Sequence, residues 1–156
     1  MKTKLLGALA AVALLGACES STDTSSAATG AGAATGPRPG SQEDLAVTAG
    51  DRVFFDLDRS NVRADAQATL DKQAQWLAQY PQVNVQIQGN ADERGTREYN
   101  LALGQRRANS ARDVLVASGV NGARISTISY GKDRPAALGS DESAWAQNRR
   151  AVTVVQ

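Results

Sequence analysis

Asp92, Asn100 and Arg107 stand within one stretch, residues 89–108, that reads G-N-A-D-E-R-G-T-R-E-Y-N-L-A-L-G-Q-R-R-A. Asp92 follows a β-like pattern and precedes a helical one. Asn100 and Arg107 are seven residues apart, two helical turns, and so share a face. An acid at a strand end and an arginine on the adjoining helix could hold a ligand that carries both an ammonium and a carboxylate. The same residues fit a second assignment, in which Asp92 caps the helix and Arg107 only forms an ion pair with it. Spacing alone does not separate the two.

Composition excludes much other chemistry. The chain of 156 residues has no histidine and a single cysteine, Cys18. It therefore has no Ser-His or Cys-His nucleophile pair, no imidazole metal site, no thiolate zinc cage and no internal disulfide. No metal or cofactor is expected. A formal net charge of +1 gives no broad basic surface, and no nucleic-acid partner is expected.

The elements that must position the stretch can be read from periodicity. Residues 52–56 read as a short strand, and residues 64–79 as a helix with Ala66, Leu70, Ala74, Leu77 and Ala78 at helical spacing, stopped by Pro81. Val83, Val85 and Ile87 alternate with polar residues, as in a half-buried strand. Thr96 is placed to cap a second helix whose core stripe includes Leu103, Ala111, Val114 and Leu115, closed by Gly119 and Gly122. Residues 125–130 form a third strand. Residues 151–155 form a fourth, with Val152 and Val154 on one face, and a short helix is expected around residues 142–146. The fold class is α+β: an order βαβαβ(α)β, with helices packed on one face of a small mixed four-stranded sheet.

Upstream, Lys2 and Lys4 precede an apolar run, residues 5–15, too short to span a bilayer comfortably. It ends in Leu15-Gly16-Ala17-Cys18, which resembles the lipobox of bacterial lipoproteins. The expected organisation is a signal peptide at 1–17, a lipidated Cys18 with a flexible Ser/Thr/Ala/Gly/Pro linker at 18–42, and a folded domain at 43–156. Two or more acyl chains on Cys18 would anchor the chain almost permanently. Glu19 is not the aspartate of the best-known inner-membrane retention rule, so the outer membrane is expected.

The motifs Phe55-Asp56-Leu57-Asp58, Ala91-Asp92-Glu93-Arg94-Gly95-Thr96, Tyr99-Asn100, Arg106-Arg107-Ala108-Asn109, Ser129-Tyr130-Gly131-Lys132 and Asn148-Arg149-Arg150-Ala151-Val152 are spread over residues 52–155. Together they resemble the peptidoglycan-associated lipoproteins of the Tol–Pal system, whose folded part is an OmpA-C-terminal-like domain. The resemblance implies a non-enzymatic protein that binds the diaminopimelate of the peptidoglycan stem peptide. Asp92 would pair with that residue's ammonium and Arg107 with its carboxylate, with Asp58, Asn100 and Thr96 as further ligand contacts. It also implies TolB and other Tol–Pal components as partners, TolB competing for an overlapping face, and a role in tethering the outer membrane to the wall and drawing it inward at cell division. Two rival readings stand beside it: a cell-wall hydrolase built on Asp56 and Asp58, and a structural lipoprotein that never touches the wall.

Further residues have plainer expected roles. Glu93 and Arg94 belong to a rim or loop, with ligand contact as the alternative. Trp76 and Trp145 pack rather than serve as sugar platforms, and Tyr99 packs as well. Arg149 and Arg150 are solvated charges, with a partner-facing role as the alternative. One departure from the family pattern stands out: Asn90 occupies a position where histidine is common. An amide there still donates and accepts hydrogen bonds but does not titrate near neutrality.

Overall fold

The computed structural model describes residues 36–156. The expected signal segment, Cys18 and residues 19–35 of the linker lie outside the described residues.

The central strand is β2 (Val85–Asn90), whose alternation buries Val85 and Ile87 on one face. It runs parallel to β3 (Ile125–Gly131) and antiparallel to β4 (Arg150–Val155). β4 in turn pairs antiparallel with β1 (Arg52–Phe54), giving the sheet order β1-β4-β2-β3. Helices α2 (Ala64–Gln79) and α3 (Arg97–Ala117) cover the apolar face, and α4 (Glu142–Asn148) leads into β4. The expected α+β order and mixed sheet are therefore observed. Phe55, Leu70, Leu77, Ile87, Ala111 and Leu115 meet in the core at 1 % exposure or less. Each large apolar side chain buried there contributes about 1.5–3 kcal/mol.

Several details differ from the periodicity. Ala78 faces solvent, while Gln73 and Trp76 are buried. Burial is possible for Gln73 because its amide donates to Gly50 O (2.6 Å) and accepts from Thr153 Oγ1 (2.8 Å). Val152 and Val154 share a face of β4, but the core takes the opposite one, Ala151 and Thr153.

An additional helix, α1 (Gln42–Thr48), starts inside the expected linker. Ser41 caps it, accepting from Asp44 N, and Leu45 enters the core. β1 is short, so β4 has unpaired backbone groups beyond it. The Gln42 amide fills them, donating to Thr153 O (3.1 Å) and accepting from Val155 N (2.8 Å). The folded part thus begins before residue 43.

α3 lies unusually close to β2 because two glycines face each other. A Cβ on Gly89 would fall 1.8 Å from Gly104 O, and one on Gly104 would fall 2.3 Å from Ser129 Oγ. The close approach acts one residue along the strand and one turn along the helix, where it brings Arg107 to the backbone of Asn90 (2.8 Å).

Candidate functional site: a charged pocket at the end of the central strand

Past the end of β2, the chain turns through Asp92 and Arg94 before Thr96 caps α3 by accepting from Tyr99 N (3.2 Å). This turn, the loop after β1 and the first three turns of α3 enclose a pocket. Leu57, Asp58, Asp92, Arg94, Tyr99, Asn100, Leu103 and Arg107 line it, so four of the five expected ligand contacts meet there. Thr96 does not line it, because its hydroxyl is turned to the helix end.

Arg107 forms the floor, with 0 % of its surface exposed. Its Nε donates to Arg59 O (2.8 Å), Nη1 to Asn90 O (2.8 Å) and Nη2 to Asp56 O (3.1 Å), tying the loop after β1 to the end of β2. The guanidinium also sits 5.3 Å from the centre of the Phe55 ring. These bonds use three of its five N–H groups and leave one on each terminal nitrogen. Burial pushes its pKa down to about 10, with Asp92 and Asp58 opposing the shift and Arg149 adding to it. Arg107 is therefore a charged group at neutral pH whose direct partners are all neutral carbonyls.

Asp92 is also buried, at 5 % exposure, and it does not pair with Arg107. Its Oδ1 accepts from Arg94 N (3.1 Å) and Arg94 Nε (3.2 Å); its Oδ2 accepts from Arg94 Nη2 (2.6 Å) and Arg149 Nη1 (3.5 Å). Burial raises the carboxyl pKa, but the hydrogen bonds and charge of Arg94, with help from Arg149, outweigh it and hold the group below its ordinary value. The structural alternative for this pair, a cap and an Asp92–Arg107 bridge, is thus not what the chain forms: Thr96 is the cap, and Asp92 is neutralised by other arginines.

Asn100 is 2 % exposed and donates to Arg94 O (2.8 Å), pinning the turn from below. Asp58 is exposed and accepts a hydrogen bond from Tyr99 Oη across the pocket mouth. It is the one non-glycine residue with positive φ (55°) among the described residues, a conformation aspartate tolerates better than most.

Three side chains lie elsewhere than expected. Arg149 is buried at 7 % exposure, donating to Phe55 O (3.1 Å), Asp92 and Glu142, and Arg150 is buried at 9 %. Arg149 is held because β4 starts beside the end of β2, a pairing invisible from local charge, and Arg150 because it donates to Arg134 O (3.1 Å) and Asn148 O (3.4 Å). Tyr99 does not pack inside; it is exposed at the pocket rim. Trp145 is only partly buried, with the Arg94 guanidinium 4.0 Å above its ring and its Nε1 donating to Glu93 Oε1 (3.0 Å). Asn90 lies beneath the pocket rather than in it. Its amide donates to Gln88 O, its Oδ1 is buried without a partner, and its contribution to Arg107 comes from the backbone carbonyl that any residue supplies.

The fold agrees with that of known proteins. The OmpA family model matches residues 54–149. The peptidoglycan-associated lipoprotein of Rhizobium meliloti is 65 % identical over 126 residues, covering 81 % of this chain and 70 % of that protein. That of Mesorhizobium japonicum is 57 % identical over 152 residues, covering 95 % and 89 %. A crystal structure of the peptidoglycan-associated lipoprotein from Burkholderia pseudomallei superposes with a TM-score of 0.66 at 52 % identity, covering 68 % of this chain and 90 % of that one. The C-terminal domain of Helicobacter pylori MotB shares the fold, with a TM-score of 0.62 at 22 % identity. With its pocket, its sheet order and these relatives, the chain belongs to the OmpA family and, within it, to the peptidoglycan-associated lipoproteins.

Proposed function

We propose that the pocket binds the diaminopimelate of the peptidoglycan stem peptide and so grips the cell wall noncovalently. The observation that carries this reading is Arg107: a buried cation with no carboxylate partner, beside a buried carboxylate. The side-chain end of diaminopimelate carries an ammonium and a carboxylate on one carbon. Its carboxylate would take the remaining N–H of each terminal nitrogen of Arg107, a two-point grip. Its ammonium would meet Asp92, with Asp58 as a second acceptor and Asn100 holding the turn between them. Thr96 supports the helix end and is left out of the contact set.

In this reading Cys18 is lipidated and holds the chain in the outer membrane, while the domain reaches the wall from the periplasm. Weak individual clamps suit such a tether, because anchoring raises the local concentration of the domain at the wall. As a component of the Tol–Pal system it would meet TolB on a face overlapping the pocket and help draw the outer membrane inward during division. No hydrolysis is proposed: Asp56 is engaged by Arg63 at the surface, which does not suit a pair of acids flanking a bond.

Sedimentation with purified sacculi tests the reading. Wild type is expected to pellet with the wall, and Asp92→Ala and Arg107→Lys to remain largely in solution while keeping the wild-type circular dichroism spectrum. If both variants sediment like wild type, the pocket is not the wall-binding site. Release of soluble fragments from the sacculi would instead favour an enzyme.

A further inference from the structure

A carboxylate offers about four lone-pair positions, and in Asp92 all four are occupied. Arg94 fills three, through its backbone N–H, Nε and Nη2, and Arg149 fills the fourth. A ligand ammonium therefore finds no free acceptor on Asp92 unless a resident donor leaves. The Arg149 side chain is 8 % exposed and fixed by Phe55 O, so it stays. The Arg94 backbone also stays, because Asn100 holds its carbonyl. The Arg94 side chain is different: it is 35 % exposed, bonded on this side only to Asp92, and stacked 4.0 Å from the Trp145 ring. Glu93 and Glu142 lie near enough to act on its charge, and the Glu142 side chain is 65 % exposed. Sliding across the indole towards these acids would free one lone pair on each Asp92 oxygen. Arg149 and the Arg94 N–H would still hold the carboxylate in place.

We infer that Arg94 is a resident counter-ion that sets the charge requirement of the pocket: it yields Asp92 only to a ligand that brings its own cation. With Arg94 in place, Arg94 and Arg107 balance Asp92 and Asp58 in the pocket lining, and Arg149 behind Asp92 is itself paired with Glu142. A simple carboxylate can then be drawn to Arg107 without displacing anything. With Arg94 moved aside the lining carries one excess negative charge, so a zwitterion finds a partner for each of its charges while a bare carboxylate meets an exposed Asp92. Holding Arg94 on Asp92 in the empty pocket thus costs some affinity for the zwitterion, because only the fraction with Arg94 displaced is competent to bind it.

The inference rests on the pocket being the diaminopimelate site, and NMR titrations of the full-length protein separate the two claims. The probes are meso-2,6-diaminopimelate and pimelate, the same seven-carbon diacid without amines. Arg94→Gln is expected to bind diaminopimelate about fivefold more tightly than wild type and pimelate more weakly. Arg94→Lys, which keeps the charge but loses the fork, should fall between them. Unchanged or weaker diaminopimelate binding by Arg94→Gln overturns the inference, since Arg94 would then be a bystander or a direct ligand contact. If Asp92→Asn binds diaminopimelate as wild type does, or no protein binds it, the pocket reading itself falls and takes this one with it. If Asp92→Asn loses binding but Arg94→Gln gains none, only the counter-ion role fails.

Discussion

Arg107 and Arg94 line the same pocket and carry the same charge, yet they are held in opposite ways. Arg107 has no exposed surface and spends its bonds on three backbone carbonyls from two separate segments. Arg94 is partly exposed and spends its side-chain bonds on one neighbouring carboxylate. The first is built into the fold, so its position is as fixed as the strands it joins. The second is a local pairing with a sequence neighbour, open to solvent on the arginine side, and in the proposed reading a ligand cation replaces it. In the proposed reading the pocket combines a rigid anion receptor with an adjustable cation receptor, and the two should respond differently to perturbation.

The largest break in that contrast is expected at the floor. Arg107→Met leaves three carbonyls without their donor, that of Asn90 buried and those of Arg59 and Asp56 part-buried. At about 1–3 kcal/mol for the buried group and about 0.5–1.5 kcal/mol for each of the others, the loss should be about 3 kcal/mol. Urea unfolding measures it; a loss under about 1 kcal/mol would mean the floor is no more structural than the rim.

Asp92→Asn should cost less, about 2 kcal/mol at neutral pH, because buried Arg149 loses one of its two acidic partners. The pH dependence has a definite sign. Since the folded pKa of Asp92 lies below its ordinary 3.8, its ionised form stabilises the fold above that value, and the contribution disappears as pH falls through the folded pKa. The gap between wild type and Asp92→Asn should therefore be full at pH 6 and close progressively below about pH 4. A gap that persists unchanged at pH 2 would assign it to packing instead.

The smallest effect is an expected constancy. Asp92 titrates well below neutrality, Arg107 near about 10, and the chain has no histidine. Binding of diaminopimelate should stay nearly flat from pH 6 to 8, and a steep calorimetric change over that range would point to a titrating group outside the pocket.

Much of this was legible in the sequence. The helix at residues 64–79 was bounded to the residue, and the alternation around Val85 and Ile87 marked the central strand. Asp92, Asn100, Arg107 and Asp58 converge as their spacing and motifs suggested. What escaped were facts of long-range pairing. Arg149 looks like a surface charge until β4 is laid beside β2, and Arg94 looks like a loop residue until its fork meets Asp92. Helix α1 was hidden because its sequence carries only one side chain that reaches the core, Leu45. Its reason for existing lies in the edge of β4, more than a hundred residues away.

That helix has a mechanical consequence. In the proposed tether, any pull from the membrane side enters the domain through residue 41, and α1 receives it first. Load there bears on the two hydrogen bonds of Gln42 to β4, on the bond from Trp76 Nε1 to Asp44 (3.0 Å), and on Leu45 in its socket. Seven residues held by so few contacts can detach and extend while the sheet stays whole. Helix α1 would then act as a fuse, lengthening the tether under strain before the pocket feels the force.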